Sequence, residues 1–256
     1  MKSKIILLHL FLFMFLNVVH AQQQQVAYND GKQKLNGELW KPAKMNDKRA
    51  GILILPAWKG IDAHSKIVAK QLSDLGYVAF IADIYGEGHY PKTDKEAGES
   101  AGYYKTHIDE YRQRIKLALI QLVRSGVNPD EIVVIGYCFG GLGAIEAARA
   151  NMPVKGVVSF HGSYDHDAAK PETLIQPRIL ILHGADDPHS SAAVIAQLQD
   201  EFRKAHADWQ MIYYSNAVHA FTDPDAGSDN SKGVAYNENA DKRSWQAFMQ
   251  FLQEVL

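Results

Sequence analysis

One sulfur in this chain stands where a nucleophile would stand. Cys138 is the centre of Gly136-Tyr137-Cys138-Phe139-Gly140-Gly141, a G-x-C-x-G pattern directly after the apolar run Ile132-Val133-Val134-Ile135 and directly before a helical stretch. A strand that turns sharply into a helix needs small residues on both sides of the turn, and the turn lifts its central side chain above the sheet. The partial positive charge at the helix N-terminus favours an anion there. A thiol so placed gains thiolate character and becomes nucleophilic. A buried structural Cys is the other ordinary use of a lone thiol, but the strand, glycines and helix together favour the nucleophile. Gly98-Glu99-Ser100-Ala101-Gly102 fits the serine form of the same pattern. The charged segment ahead of it, Lys92 to Glu96, cannot be the buried strand that holds such a turn, so Ser100 is set aside.

A nucleophile of this kind works with a base and a carboxylate that orients the base, following it in chain order and carried on strand ends. Ile179-Leu180-Ile181-Leu182 runs into His183-Gly184-Ala185-Asp186-Asp187-Pro188. Asp187 is preferred to Asp186 because Pro188 completes a G-x-x-D-P spacing from Gly184; Asp and Pro are also ordinary turn residues. The next strand, Gln210 to Tyr214, is followed by Ser215 through Phe221, which carries His219 between apolar neighbours. His219 is the expected base. His161 and His183 end strands and are expected near the site, whereas His166 and His189 fall in loops. No H-E-x-x-H or comparable spacing occurs, so no metal is expected. Acyl transfer also needs two fixed N–H donors for the developing oxyanion. The amide of Phe139 is one. The loop Pro56-Ala57-Trp58-Lys59-Gly60 should supply the other, at Trp58, whose alternative is a surface aromatic. Tyr85, Tyr137 and His161 are the expected pocket residues, for a small apolar or neutral substrate.

These residues need a scaffold. Gly51–Pro56, Tyr77–Ala82, Glu131–Tyr137, Val154–Phe160, Arg178–Leu182 and Trp209–Tyr214 read as strands, most of them continuous apolar runs of the kind a parallel sheet buries on both faces. Lys34–Trp40 alternates as an antiparallel edge strand would. Helices are expected at Ser65–Leu75, with Ile67, Val68, Leu72 and Leu75 on the buried face, and at Tyr103–Arg124, Leu142–Asn151, Ser191–Ala205 and Asp241–Leu256. Asp83–Gly102 reads as a surface excursion with at most one short helix. The alternation implies a single-domain α/β fold, a mostly parallel sheet with helices on both faces, over residues 22–256.

The first 21 residues fall outside that domain. Lys2 and Lys4 precede an apolar run, Ile5 to Val19, that ends in Val19-His20-Ala21. That order describes a secretory signal peptide cleaved after Ala21, and hence a periplasmic or extracellular protein. The run is about 15 residues, short of the roughly 20 that a spanning helix needs. Gln22, not Cys, follows Ala21, which argues against a lipid anchor. A net charge of −2 without a basic stripe argues against nucleic acid as a partner. Cys138 is the one Cys of the chain, so no internal disulfide and no Cys-based zinc site can form.

The turn at Cys138, the segment Gly184 to Pro188, Val218-His219-Ala220-Phe221 and Ala82-Asp83-Ile84-Tyr85-Gly86 together resemble the dienelactone hydrolase family, over Ala27 to Leu256. The resemblance implies an α/β-hydrolase fold and a cofactor-free Cys-Asp-His triad, carried here by Cys138, Asp187 and His219. It implies an ester, lactone or thioester as substrate. Two positions depart from the family. Ala57 stands where a Glu usually precedes the oxyanion donor, and Gly86-Glu87-Gly88 stands where an Arg holds a substrate carboxylate. A carboxylate would meet repulsion from Glu87, so dienelactone itself is not the expected substrate. A redox-sensing thiol or a non-catalytic binder on the same fold is the alternative, although no second Cys is present to resolve an oxidised Cys138.

Overall fold

The computed structural model describes residues 22–164 and 174–256. The expected signal peptide and His166 lie outside the described residues. Eight strands form one sheet: β1 (Gln22–Asp30), β2 (Gln33–Lys41), β3 (Gly51–Leu55), β4 (Val78–Ile81), β5 (Ile132–Tyr137), β6 (Gly156–Phe160), β7 (Arg178–Gly184) and β8 (Trp209–Tyr214). Their spatial order is β1-β2-β4-β3-β5-β6-β7-β8. The pairs β1/β2 and β2/β4 are antiparallel, and every later pair is parallel. This is the α/β-hydrolase arrangement.

The central strands are apolar throughout because both faces are covered. In β3, Leu53 and Leu55 enter one core and Ile52 and Ile54 the other, and all four are fully buried. The first core packs against α2 (Asp94–Thr106), α3 (Ile108–Arg124), α4 (Phe139–Arg149) and α5 (Ala192–Lys204). The second packs against α1 (Ala63–Asp74) and α6 (Glu238–Val255). Successive side chains of a strand point to opposite faces, so one apolar run serves two layers. The order in which strands are added reverses between β3 and β5, which lie side by side and parallel with β4 on one flank and β6 on the other. The crevice at their C-terminal ends is where ligands bind in open sheets of this kind.

Several expectations change. Lys34–Trp40 is not the edge. Gln22–Asp30 forms the outer strand and pairs with all of β2, although most of its side chains are exposed. Backbone pairing makes this strand, and a glutamine-rich stretch gives no apolar alternation to announce it. The buried face of α1 is Ser65, Val68, Ala69, Leu72 and Ser73, while Ile67 and Leu75 are 55% and 52% exposed. Two serines take part in that face because Ser65 closes a capping box with Asp62 and Ser73 bonds back to the Lys70 carbonyl. The excursion after β4 is shorter than expected. It ends in α2, capped by Thr93, and a break at His107 separates α2 from α3. The buried residues of α2 are Ala97, Ala101 and Tyr104, so its helical spacing is carried mostly by small side chains.

Helix α4 begins at Phe139 rather than Leu142, immediately after Cys138. Two glycines permit this. A Cβ on Gly136 would lie 1.8 Å from the Gly140 carbonyl oxygen, and a Cβ on Gly140 would lie 2.1 Å from the Leu55 carbonyl oxygen. The first turn of α4 thus rests on the backbone at the end of β3. The far half of the helix is fastened by a buried ion cluster. Glu146 receives Arg112 of α3 at 2.7 Å and Arg149 at 2.6 Å, and Arg149 reaches Glu201 of α5 at 2.7 Å. Each carboxylate meets a guanidinium, so burying these charges leaves none without a partner. We predict that Gly140→Ala lowers the stability of the fold by about 3 kcal/mol or more, because backbone rather than a flexible side chain must move. Urea unfolding followed by circular dichroism would measure it, and an unchanged midpoint would contradict the close approach.

Candidate active site

Cys138 occupies the turn with φ 54° and ψ −114°, a left-handed φ that costs a non-glycine residue roughly 1–3 kcal/mol and persists only where the surroundings impose it. Its amide donates to the Phe160 carbonyl at 3.0 Å, which ties the turn to β6. Its side chain is half-buried.

The His219 imidazole places Nε2 3.0 Å from the Cys138 Sγ and Nδ1 2.8 Å from an Asp187 carboxylate oxygen. The other Asp187 oxygen accepts the His189 amide at 2.9 Å. The base is gripped on both sides of its backbone: its amide donates to Gly233 and its carbonyl accepts from Ala235. Asp187 and His219 are both buried. Of the two adjacent carboxylates, Asp187 is the one that turns inward. Asp186 is exposed, and its amide donates to the Ala217 carbonyl.

Burial opposes charge on His219, but the Asp187 carboxylate and Cys138 outweigh it and raise the imidazole to about 10. Asp187 shows the complementary balance. Burial pushes its carboxyl up, yet the hydrogen bond and charge of His219, with the His189 amide, hold it below its ordinary value. The two directions agree on an imidazolium held between an acid and a sulfur.

The remaining expected residues separate into two groups. Trp58 is half-buried on the loop after β3, with the Lys59 ammonium 5.5 Å from its ring centroid. Among the described residues, neither the Trp58 amide nor the Phe139 amide donates to a protein acceptor. Tyr85 is buried beside them. Its hydroxyl donates to the Trp58 carbonyl at 2.6 Å and its ring stacks on Phe139, so it is a wall and a tie rather than a free polar group. His161 is buried behind the base, its ring 5.3 Å from the His219 ring and its Nε2 2.9 Å from the Thr222 hydroxyl. Burial first, and then the charge on His219, hold His161 well below its ordinary value, so it remains neutral beside the imidazolium.

Tyr137 does not belong to this group. The strand alternation that sends Cys138 upward turns Tyr137 into the second core, where it stacks on Phe160 and meets His64 of α1 edge-on. It lines a 400 Å³ cavity between α1 and α6, away from the sulfur. Ser100 lies in the middle of α2, not at a turn. Glu87 is exposed, with its carboxylate 4.0 Å from the Lys34 ammonium of β2. Three contributors escaped the sequence reading. His189 supplies its amide to Asp187 and an exposed ring 4.7 Å from that of His219. Gly233–Ala235 holds the base. Tyr111 packs against Phe139. Only proximity in sequence to Asp187 could have pointed to His189.

A sequence profile described as the dienelactone hydrolase family matches residues 35–256. Among solved structures, a dienelactone hydrolase-like promiscuous phosphotriesterase, P91, from metagenomic libraries is 34% identical, with a TM-score of 0.86 over 92% of this chain and 99% of that one. An uncharacterized protein of Caenorhabditis elegans is 35% identical over 50% of this chain and 83% of its own length. A Synechocystis protein named "Putative carboxymethylenebutenolidase" is 24% identical over 80% of this chain and 86% of its own.

The charged arrangement has a pH signature. The raised His219 stabilises the fold fully below its ordinary 6.5, and this contribution is lost as pH rises to about 10. The lowered Asp187 contributes above its ordinary 3.8 and loses that contribution as pH falls below it. We predict that the imidazole ¹⁵N resonances of His219 remain in the imidazolium position at pH 8. Cys138→Ala should move the transition toward neutrality, because one of the two partners that raise it is gone. A wild-type transition near 6.5 would contradict the arrangement.

Proposed function

The chain belongs to the dienelactone hydrolase family and is an ester or lactone hydrolase, and from that premise we propose that it works through a cysteine acyl-enzyme. The single observation that carries the reading is His219, 3.0 Å from the Cys138 sulfur on one side and 2.8 Å from Asp187 on the other.

The protonation balance suits two half-reactions. At rest the proton sits on His219, and the sulfur facing it attacks the acyl carbon as thiolate. The carbonyl oxygen becomes an oxyanion, to which the unspent amides of Phe139 and Trp58 donate. As the tetrahedral intermediate collapses, the carbon–oxygen bond to the leaving alcohol breaks (a carbon–sulfur bond for a thioester), and His219 delivers its proton to the leaving group. Cys138 is then a neutral thioester. The imidazole has lost one of the two partners that raised it, so its proton affinity falls and it can take a proton from water. That water attacks the thioester, the acid is released, and the proton returns the pair to its resting state. The same residue serves as acid and then as base because its partner changes charge between the two steps.

The substrate class proposed is a small ester, lactone or thioester. The reaction as written needs no cofactor and no nucleic acid. We also propose export, from the charged, apolar and small-residue order of residues 1–21; a mature chain beginning at Gln22 supports it, and an intact Met1 on the purified native protein overturns it.

Replacing Cys138 with Ala should lower turnover of p-nitrophenyl acetate at least about 10³-fold. Intact-protein mass spectrometry of the wild type, quenched during turnover, should show one acetyl group, mapped to Cys138. Full activity in the Ala variant would end the cysteine reading.

A further inference from the structure

We infer that two buried tyrosines, Tyr85 and Tyr111, are positioning residues that hold the oxyanion-binding amides in place, each by pinning the carbonyl of a residue whose own amide is a donor. The inference rests on the acyl-enzyme reading above.

The two contacts form a matched pair. The Tyr85 hydroxyl donates to the Trp58 carbonyl at 2.6 Å, and the Tyr111 hydroxyl donates to the Phe139 carbonyl at 3.1 Å. Trp58 and Phe139 are the two proposed oxyanion donors, and among the described residues neither amide donates to a protein acceptor. The rings act in the same place. The Phe139 ring stacks with both tyrosines, with Tyr111 at 4.6 Å and 5° and with Tyr85 at 6.1 Å and 14°. Tyr85 therefore touches the carriers of both donors at once. The chain also leaves room for the second contact. A Cβ on Gly143, one turn into α4, would lie 2.4 Å from the Tyr111 hydroxyl oxygen, so only glycine lets that hydroxyl reach the helix.

A positioning role follows from what an oxyanion hole requires. Its donors help only if they are already aimed when charge develops, because reorganisation during the reaction would forfeit the gain. The Trp58 loop is short and has few backbone bonds of its own; the Gly60 amide to the Ala57 carbonyl closes it. The Tyr85 bond restrains the backbone torsion beside the Trp58 amide. On the other side, the Phe139 carbonyl belongs to the first turn of a helix, and helix ends fray. The Tyr111 bond holds that turn against the core. Both hydroxyls are driven by burial well above their ordinary range, so both remain donors at any pH at which the enzyme works. Tyr85 reaches the site from the loop after β4, and that loop has its own anchor. The buried Asp83 carboxylate accepts the Asn36 amide at 2.8 Å, the Gly86 amide at 2.9 Å and the Tyr90 hydroxyl at 2.7 Å.

The test is Tyr85→Phe and Tyr111→Phe, singly, in the full mature chain. Each change removes one oxygen and leaves the stacked ring. Three readouts separate aiming of the hole from general damage. For p-nitrophenyl acetate, kcat should fall roughly 10- to 100-fold with KM changed less than about threefold. A trifluoromethyl ketone, which the thiolate attacks at the carbonyl carbon to give a stable tetrahedral oxyanion, should bind more weakly in proportion to the loss in kcat/KM. Alkylation of Cys138 by iodoacetamide, a displacement that develops no oxyanion, should keep its wild-type rate. Unchanged kcat in both variants overturns the proposal. So does a parallel fall in alkylation, which would place the damage in the thiol–imidazole pair. If one variant fails to fold, the other decides by the same readouts. Failure here with Cys138→Ala inactive leaves the acyl-enzyme reading intact, whereas turnover by Cys138→Ala removes that reading and this one together.

Discussion

At Gly140 the turn from β5 into α4 meets the end of β3 so closely that no side chain could come between them, and Gly136 leaves the room inside the turn that the Gly140 carbonyl occupies. The chemistry is assembled around that contact. It allows α4 to start one residue after Cys138, and so sets the sulfur at a helix N-terminus with a positive φ. It also brings the loop after β3, with Trp58, beside the first turn of α4, with Phe139. The sulfur and both candidate oxyanion donors therefore take their places from a single point of contact. The ion cluster of Arg112, Glu146, Arg149 and Glu201 holds the other end of the helix so that the strained end cannot drift.

A second constraint is electrostatic. An imidazolium is nearly buried between a carboxylate and a sulfur, where the low dielectric makes each partner count for more than it would in water. The walls around it suit that charge. His161 stays neutral because it is buried against a cation, and the exposed ring of His189 covers the outer side. Neither adds a competing positive charge. The base is held by backbone bonds to Gly233 and Ala235 rather than by its side chain alone, which leaves the imidazole free to move its proton without losing its place.

The sheet explains which expectations held for side chains and which did not. Tyr137 and Cys138 are adjacent in sequence and land in different layers. The strand sends Tyr137 toward α1 and α6, and the turn that follows sends the sulfur to the opposite crevice. Proximity in sequence to a nucleophile is thus a poor guide to pocket membership within a strand. Tyr85 is a truer neighbour of the sulfur, although it is far away along the chain, because β3 and β4 are adjacent and end at the same level.

The glycine pattern at Cys138, the apolar runs of β3 through β7, the Gly184–Pro188 turn and His219 were legible because each is a local rule. Tight turns need glycine, buried parallel strands need unbroken apolar residues, and the order along the chain limits which carboxylate and which imidazole can meet. By these rules the residues alone determined the fold class and singled out Cys138, Asp187 and His219 as the candidate triad. Other features had no local expression. β1 is polar and exists because β2 offers backbone partners; α2 buries mainly alanines; Glu87 turns to Lys34; and Tyr111, midway along a helix, reaches a carbonyl in α4 only because Gly143 lacks a side chain. Each depends on a distance between segments remote in sequence. Such distances are set by packing, and no property of either segment by itself contains them.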